Sequence, residues 1–315
     1  MSGLYVFRCI TLKYGLCTFL WKEDVKMYDE LRKSLLDKFE FWEQGIRDED
    51  VMDLCISDIR DTINDSENFK LYRYVPPEYF NIRNIETQTI HLSPNGVLND
   101  IYEGLMGDNE RFDYKEFQEL NDLAYMTCLT ETNDNLLMWS HYAKGHTGIC
   151  IEYDLKRLKN DPYKILNHIY PVIYDNDILI KRNIPNIKRD HNILKLSIDN
   201  SDVYDGQELF DDIVPLFLIK SEEWSYECEW RIIYSMKQMY DENDETLYKG
   251  NIPFNCISGV YLGVKIHPEI RQNIIEICQR LNTTKHPVKV HQAKIGSNRS
   301  SVEFEELWKK EGQTK

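Results

Sequence analysis

The chain has 315 residues, of which 42% are hydrophobic and 29% are charged, and its formal net charge is −15. This composition is typical of a folded protein with a substantial apolar core, and it excludes a disordered chain. The acidic balance disfavours a broad nucleic-acid-binding surface, because such a surface neutralises phosphates with Lys and Arg.

The eight cysteines indicate a reducing compartment. They form no C-x-x-C pair and no Cys/His group with zinc spacing, and several lie inside apolar runs, as buried thiols do. No stretch of the sequence has the length and hydropathy of a transmembrane helix. We therefore expect a cytoplasmic protein that does not associate with a membrane.

Two amphipathic helices are predicted near the N-terminus. Apolar residues recur every three or four positions over residues 25–46 and again over 51–63, and a polar break follows at 64–68. We interpret residues 1–68 as a helical appendage and 69–315 as the main domain. The apolar faces of the appendage require a covering surface, which is the main domain, a second copy of the chain or a regulatory partner.

The main domain mixes strands and helices without a regular βαβ order, which predicts an α+β fold with a mixed, mainly antiparallel sheet. A polar segment at 175–205 is interpreted as an insertion or lid. The predicted strands lie at 71–75, 89–92, 123–129, 149–153, 171–174, 227–234, 257–264 and 288–295, and the predicted helices lie at 112–122, 136–144, 209–219 and 268–281, with a short C-terminal helix that begins at Ser300.

The stretch 220–234 carries the most informative charge pattern. Read with the period of a strand, it places Glu227, Glu229 and Arg231 on one face and apolar residues on the other. A strand with an apolar back fixes the positions of its charges, which favours a functional site. The alternative interpretation is a solvated sheet face with cross-strand ion pairs.

Two groupings of residues could use these acids. Asp100, Glu103, Glu227 and Glu229 together would supply the hard oxygen ligands that Mg²⁺ prefers, which predicts a metal-dependent nuclease. In the other grouping, Arg73 would hold a pyrophosphate, Ser93 or the Ser140/Tyr142 pair would position a ribose, and Glu229 would stabilise a developing oxocarbenium ion. The latter chemistry is the cleavage of a nicotinamide–ribose bond.

Four groups of sequence blocks are similar to a known family: Leu71–Tyr74, Ile90–Ser93 leading into Leu98–Glu103, Leu137–Ala143 followed by Gly148–Tyr153, and Trp224–Arg231. They resemble a bacterial family catalogued as domain of unknown function 2971. The resemblance covers about residues 71–295, and Ile101 departs from the proline that usually follows Asn-Asp in that family.

More distantly, the chain is similar to toxin-type ADP-ribosyltransferases. This second resemblance implies an ADP-ribosyltransferase-like core, NAD as a substrate and a role as a phage-defence or toxin effector. It implies Glu229 as the catalytic residue with Glu227 as its helper. The residues implied in NAD binding are Arg73, Ser93, Asn99, Trp139, Ser140, His141, Tyr142 and Arg231.

The leading hypothesis is therefore an ADP-ribosyltransferase or NAD glycohydrolase, whose acceptor is a protein, a nucleic acid or water. One rival is the metal-dependent nuclease. Another is a non-catalytic sensor or binding module in which Arg231 and the two glutamates only form a structural network.

Overall fold

A computed structural model of the chain describes residues 25–43, 51–94, 124–158, 161, 163–176, 214–235, 250–282, 287–297 and 301–307. The predicted helix at 112–122 lies outside the described residues, as do Asn99, Asp100, Glu103 and most of the predicted insertion at 175–205. Among the described residues, no helix has the length and apolarity needed to cross a membrane.

The helices predicted at 25–46, 51–63, 136–144 and 268–281 are present in the described part of the chain. Asn135 caps the fourth helix, since its side chain accepts hydrogen bonds from the backbone N–H groups of Leu137 (2.9 Å) and Met138 (3.2 Å). The third helix was not predicted. The helices are α1 (Val25–Glu43), α2 (Val51–Asp65), α3 (Tyr79–Thr87), α4 (Leu136–His141) and α5 (Pro268–Leu281).

The strands are β1 (Lys70–Val75), β2 (Thr89–His91), β3 (Ser93–Pro94), β4 (Ala124–Thr130), β5 (Ile149–Asp154), β6 (Ile169–Pro171), β7 (Ile173–Tyr174), β8 (Ile219–Lys220), β9 (Glu229–Ser235), β10 (Asn251–Pro253), β11 (Ile257–Leu262), β12 (Lys289–Ile295) and β13 (Val302–Glu306). Nine of the described strands form one sheet in the order β13-β12-β11-β5-β1-β4-β9-β6, with β3 beside β4. Only β11 and β12 are parallel within it, and α5 connects them. The α+β prediction with a mainly antiparallel sheet is therefore confirmed.

Three predicted elements differ from the structure. The C-terminal helix expected from Ser300 is the strand β13, which pairs with β12. Glu227 does not lie in a strand, because residues 222–227 form a 3₁₀ helix and β9 begins at Glu229. The described part of the helix predicted at 209–219 is a short 3₁₀ helix at 214–217, followed by β8.

The large sheet has two different faces, which the strand register defines. Tyr72 of β1 stands opposite Glu152 of β5 and Thr130 of β4, and Thr130 stands opposite Glu229 of β9. Partners in register point to the same side of a sheet, so these four residues form a row across one face, which we call the acidic face. Their chain neighbours, such as Trp230, point to the opposite face.

The opposite face is covered by helices, and we call it the helix-covered face. The ring of Tyr28 from α1 packs edge-on against Phe69 (5.4 Å between centroids) and Trp230 (5.7 Å). Leu31, Leu35, Cys55, Ile59 and Ile63 from α1 and α2 are buried in the same hydrophobic core as the sheet. In this structure the apolar stripes of the two N-terminal helices are therefore buried against the main domain.

Candidate functional site

The candidate site begins at the turn that precedes β9. Cys228 follows the 3₁₀ helix at 222–227 as its C-cap and adopts a left-handed conformation (φ 44°, ψ 52°) that is uncommon for a residue with a side chain. The hydroxyl of Thr130 donates a hydrogen bond to the backbone oxygen of Glu227 (2.6 Å) and ties the turn to β4. The turn redirects the chain so that Glu227 and Glu229 converge on one lysine.

That lysine is Lys220, and it forms an acid cluster with Glu227, Glu229 and Arg231. Its ammonium donates to Glu227 Oε2 (2.7 Å) and to Glu229 Oε2 (3.0 Å). Arg231 donates to both oxygens of Glu229 through Nε (2.8 Å) and Nη2 (3.0 Å). No side chain of the acid cluster is more than 4% exposed. The predicted charged face is thus buried, and the alternative interpretation of a solvated face is wrong.

An aromatic rim, formed by Tyr142, Trp224 and Tyr226, lies beside the acid cluster. All three residues are half-buried. The hydroxyl of Tyr142 donates a hydrogen bond to Glu227 Oε1, and the Trp224 ring centroid lies 5.0 Å from the Lys220 ammonium. Rings of this kind can stack on a planar or sugar-containing ligand while their polar groups contact it.

The two glutamates have opposite pKa shifts. Burial raises the pKa of Glu227 more than the positive charge of Lys220 lowers it, and the carboxylate of Glu229 raises this pKa further. Burial alone would raise the pKa of Glu229, but the charges of Arg231 and Lys220 hold that pKa well below its ordinary value. Environments that push two carboxyl pKa values apart give the two groups different chemical roles.

The structure does not bring Arg73 to this cluster. Arg73 stands opposite Ile151 in the β1–β5 ladder, whereas its neighbour Tyr72 lies in the row that contains Glu229. Arg73 therefore points to the helix-covered face, where its charge acts on the buried hydroxyl of Tyr153. The structure therefore does not bring Arg73 and Glu229 together, because they lie on opposite faces of the sheet.

Ser93 lies far from the acid cluster along the sheet. It stands opposite Met126, four residues from Thr130 on β4, which corresponds to about 13 Å along a strand. Ser93 and Glu229 belong to the same face, but they are separated by that distance.

The predicted residues on α4 divide into core and surface. Trp139 is fully buried, packs edge-on against Tyr74 (5.2 Å between centroids) and donates from Nε1 to the backbone oxygen of Asn133 (2.8 Å). Ser140 and His141 are exposed. Of the predicted binding residues on this helix and its cap, Tyr142 is thus the one in hydrogen-bond contact with the acid cluster.

The predicted metal grouping has only two of its members among the described residues, Glu227 and Glu229. The ammonium of Lys220 lies between their carboxylates, in the position that a cation ligated by both would take. Within the described ranges, no group of three or more His, Cys, Asp or Glu side chains could hold a metal ion.

Lys220 was not predicted as a site residue. Lys220 directly follows the apolar run Leu216–Ile219. If such a run enters the core, the lysine after it is also drawn inside and needs a buried partner. That signal was present in the sequence, but the identity of the partners depends on the turn at Cys228.

A second buried carboxylate lies on the same acidic face. Glu152 accepts hydrogen bonds from Ser258 Oγ (2.6 Å), Tyr261 OH (2.7 Å) and Lys70 Nζ (2.9 Å). Its pKa is lowered because these donors outweigh the effect of burial. Glu152 is therefore a stable carboxylate in a closed hydrogen-bond network, and it provides a reference for the acid cluster.

Comparison with known proteins gives one match. The model of a family described as a protein of unknown function (DUF2971) matches residues 138–232, a segment that contains α4 from Met138 onward, the aromatic rim and the whole acid cluster. No curated protein and no solved structure matches the chain. The chain is thus similar to this family over the segment that builds the candidate site.

Proposed function

We propose that the aromatic rim and Glu227 form a site that cleaves the nicotinamide–ribose bond of NAD and passes the ADP-ribosyl group to water or another acceptor. One observation carries the proposal: Glu227 is a buried carboxylate with a raised pKa, bonded to a half-buried tyrosine on one side and to Lys220 on the other. The NAD chemistry itself is the expectation from the sequence resemblance.

Glu227 is the acting group in this proposal. An oxygen of water bonds to C1′ of the ribose while the C1′–N bond breaks, and its electron pair returns to the pyridinium ring. Nicotinamide leaves as a neutral molecule, and the proton of the water passes to a Glu227 oxygen. A raised pKa makes Glu227 a stronger base, and its negative charge stabilises the positive charge that develops on the ribose.

Glu229 has a positioning role in the proposal. Both of its oxygens accept hydrogen bonds from Arg231, and one of them also accepts from Lys220. It therefore holds the lysine that orients Glu227, while Tyr142 borders the position of the ligand. This assignment reverses the roles that the sequence resemblance implied for the two glutamates.

The test is nicotinamide release from NAD by the purified full chain and by two variants. The Glu227→Gln variant keeps the shape of the side chain and removes the base, so we expect release to fall by about 100-fold or more. The Glu152→Gln variant is the matched control, because Glu152 is equally buried on the same face but lies outside the proposed site. It is expected to retain activity.

The pH profile provides a second readout of the same site. The base acts when it is deprotonated, so release should increase with pH, and the midpoint should lie above about 4.3, the ordinary glutamate pKa. The proposal would be contradicted if the Glu227→Gln variant released nicotinamide at the wild-type rate, or if release by the wild type did not increase with pH in this way.

A non-catalytic binding module is the second candidate function. The observation that favours it is that Arg231 is fully buried and that both carboxylates of the acid cluster already have partners within the protein. This candidate predicts no nicotinamide release by the wild-type chain. It also predicts that the main effect of Glu229→Gln is a lower melting temperature.

A further inference from the structure

A second candidate site lies between α3 and the β2–β10 ladder. It is a cavity of about 640 Å³, within the range of small-molecule pockets. None of the described lining residues belongs to the acid cluster, and Phe254, directly after β10, packs against Tyr153 on the helix-covered face (4.8 Å between centroids). The described residues that line the cavity are Tyr79, Phe80, Arg83, Asn84, Thr87, Thr89, His91 and Asn251.

Two exposed aromatic rings stand at this cavity. Tyr79 is 76% exposed and Phe80 is 53% exposed, which is unusual for neighbouring large rings on one helix. The guanidinium of Arg83, four residues after Tyr79, lies within 3.5 Å of its hydroxyl. A guanidinium beside exposed rings is suited to a ligand that combines a planar ring with a negative charge.

The charges around the cavity also favour an anion. Among the described residues that line the cavity, Arg83 carries a charge and none is a carboxylate, although the whole chain carries a net charge of −15. Arg73 adds a second positive charge behind His91: burial lowers the pKa of His91, and the charge of Arg73 lowers it further. Two guanidinium groups thus act on a region in which none of the described lining residues is an acid.

The polar groups of the cavity are held in place by one another. Thr89 donates to Asn84 Oδ1 (3.2 Å) and shares a hydrogen bond with the hydroxyl of Thr87 (2.8 Å). His91 Nδ1 lies 3.3 Å from Asn251 Oδ1. Preorganised amides and hydroxyls of this kind can bind a ring edge or a ribose without a large loss of side-chain entropy.

We infer that this cavity binds a planar aromatic anion of the size of a nucleoside monophosphate. The ring would stack against Tyr79 and Phe80, and its edge would meet the amides of Asn84 and Asn251. The phosphate would bind Arg83, within the field of Arg73. The inference does not depend on NAD cleavage at the acid cluster, because the two sites share no residue.

The probe is adenosine monophosphate, titrated into the full chain by calorimetry without NAD. We expect a Kd below about 1 mM and much weaker binding of adenosine and of inorganic phosphate alone. The Arg83→Gln variant should bind the probe about tenfold more weakly, since it loses a charged hydrogen bond. Phe80→Ala should also weaken binding, because it loses the stacking ring.

Arg60→Gln is the matched control, since Arg60 is an exposed arginine on α2 that is not part of the cavity. All three variants change exposed side chains, so their melting temperatures should equal that of the wild type. The inference is overturned if adenosine monophosphate does not bind, if adenosine binds equally well, or if Arg83→Gln and Arg60→Gln have the same affinity.

Discussion

Lys220 is the residue on which the acid cluster depends. Its ammonium is buried between two carboxylates, and both accept hydrogen bonds from it. Removal of one partner from a buried ion pair leaves a charge without compensation, which costs more than the pair itself contributes. Lys220 therefore affects both the electrostatics of the site and the stability of the fold.

We expect Lys220→Met to lower the free energy of unfolding by about 3–5 kcal/mol, measured by urea denaturation at neutral pH. Lys289→Met is the control, because Lys289 is an exposed lysine on β12 and its replacement should change stability by less than about 0.5 kcal/mol. Equal effects of the two substitutions would show that the acid cluster is not held by this lysine.

At the scale of residues, the sequence predicted only part of the site. Alternation along β9 correctly placed Glu229 and Arg231 together, because residues two apart share a face of a strand. Glu227 joins them for a different reason, the turn at Cys228, which alternation does not describe. Lys220 is linked through the same turn, so no local period could have paired it with the two glutamates.

At the scale of elements, the buried side chain of Arg32 attaches α1 to the sheet. Arg32 donates from Nε to the backbone oxygen of Val172 (2.9 Å) and from Nη2 to Glu131 (2.5 Å), which also accepts from Trp230 Nε1 (2.8 Å). The backbone N–H of Val172 in turn donates to the backbone oxygen of Glu229 (2.9 Å). The first helix therefore contacts the segment that carries the acid cluster.

The docking of α1 can be tested with a double-mutant cycle in urea denaturation. Arg32→Met should destabilise the chain by about 3–5 kcal/mol, since it leaves Glu131 buried without its cation. The double variant Arg32→Met/Glu131→Gln should be destabilised by less than the sum of the two single variants. The difference in the free energy of unfolding should exceed about 1 kcal/mol. Strict additivity would mean that the ion pair does not fasten the helix.

Long periodic elements were predictable, and short or ambiguous ones were not. The apolar repeats of α1, α2 and α5 extend over several turns, so chance matches are rare. The helix expected from Ser300 rested on a capping pattern of four residues, but Val302 and Phe304 alternate with glutamates, as in a strand. In the structure Glu303 accepts a hydrogen bond from the backbone of Ser297 (2.9 Å) instead of capping a helix.

At the scale of the whole molecule, α1 and α2 belong to the same hydrophobic core as the sheet. Without them the rings of Phe69 and Trp230, both fully buried, would lose a covering helix. The division of the sequence at residue 68 separates helices from sheet, but the packing is continuous across it.

We therefore predict that a chain of residues 69–315 alone does not fold stably, since removal of the first two helices exposes a contiguous apolar surface on the sheet. The measurement is limited proteolysis of the full chain, followed by mass spectrometry. No protease-resistant fragment that begins near residue 69 should accumulate. A stable fragment of that kind, with a cooperative melting transition, would support an independent N-terminal appendage.

The order of the strands gives the matched segment an unusual property. Residues 138–232 contribute β5, β6 and the start of β9, but β1 and β4 lie between β5 and β9 in the sheet and precede the segment in the chain. The segment therefore has a gap two strands wide at its centre. A relative that shares this segment and this sheet must fill the gap with strands from outside the matched segment, even where their sequences show no resemblance.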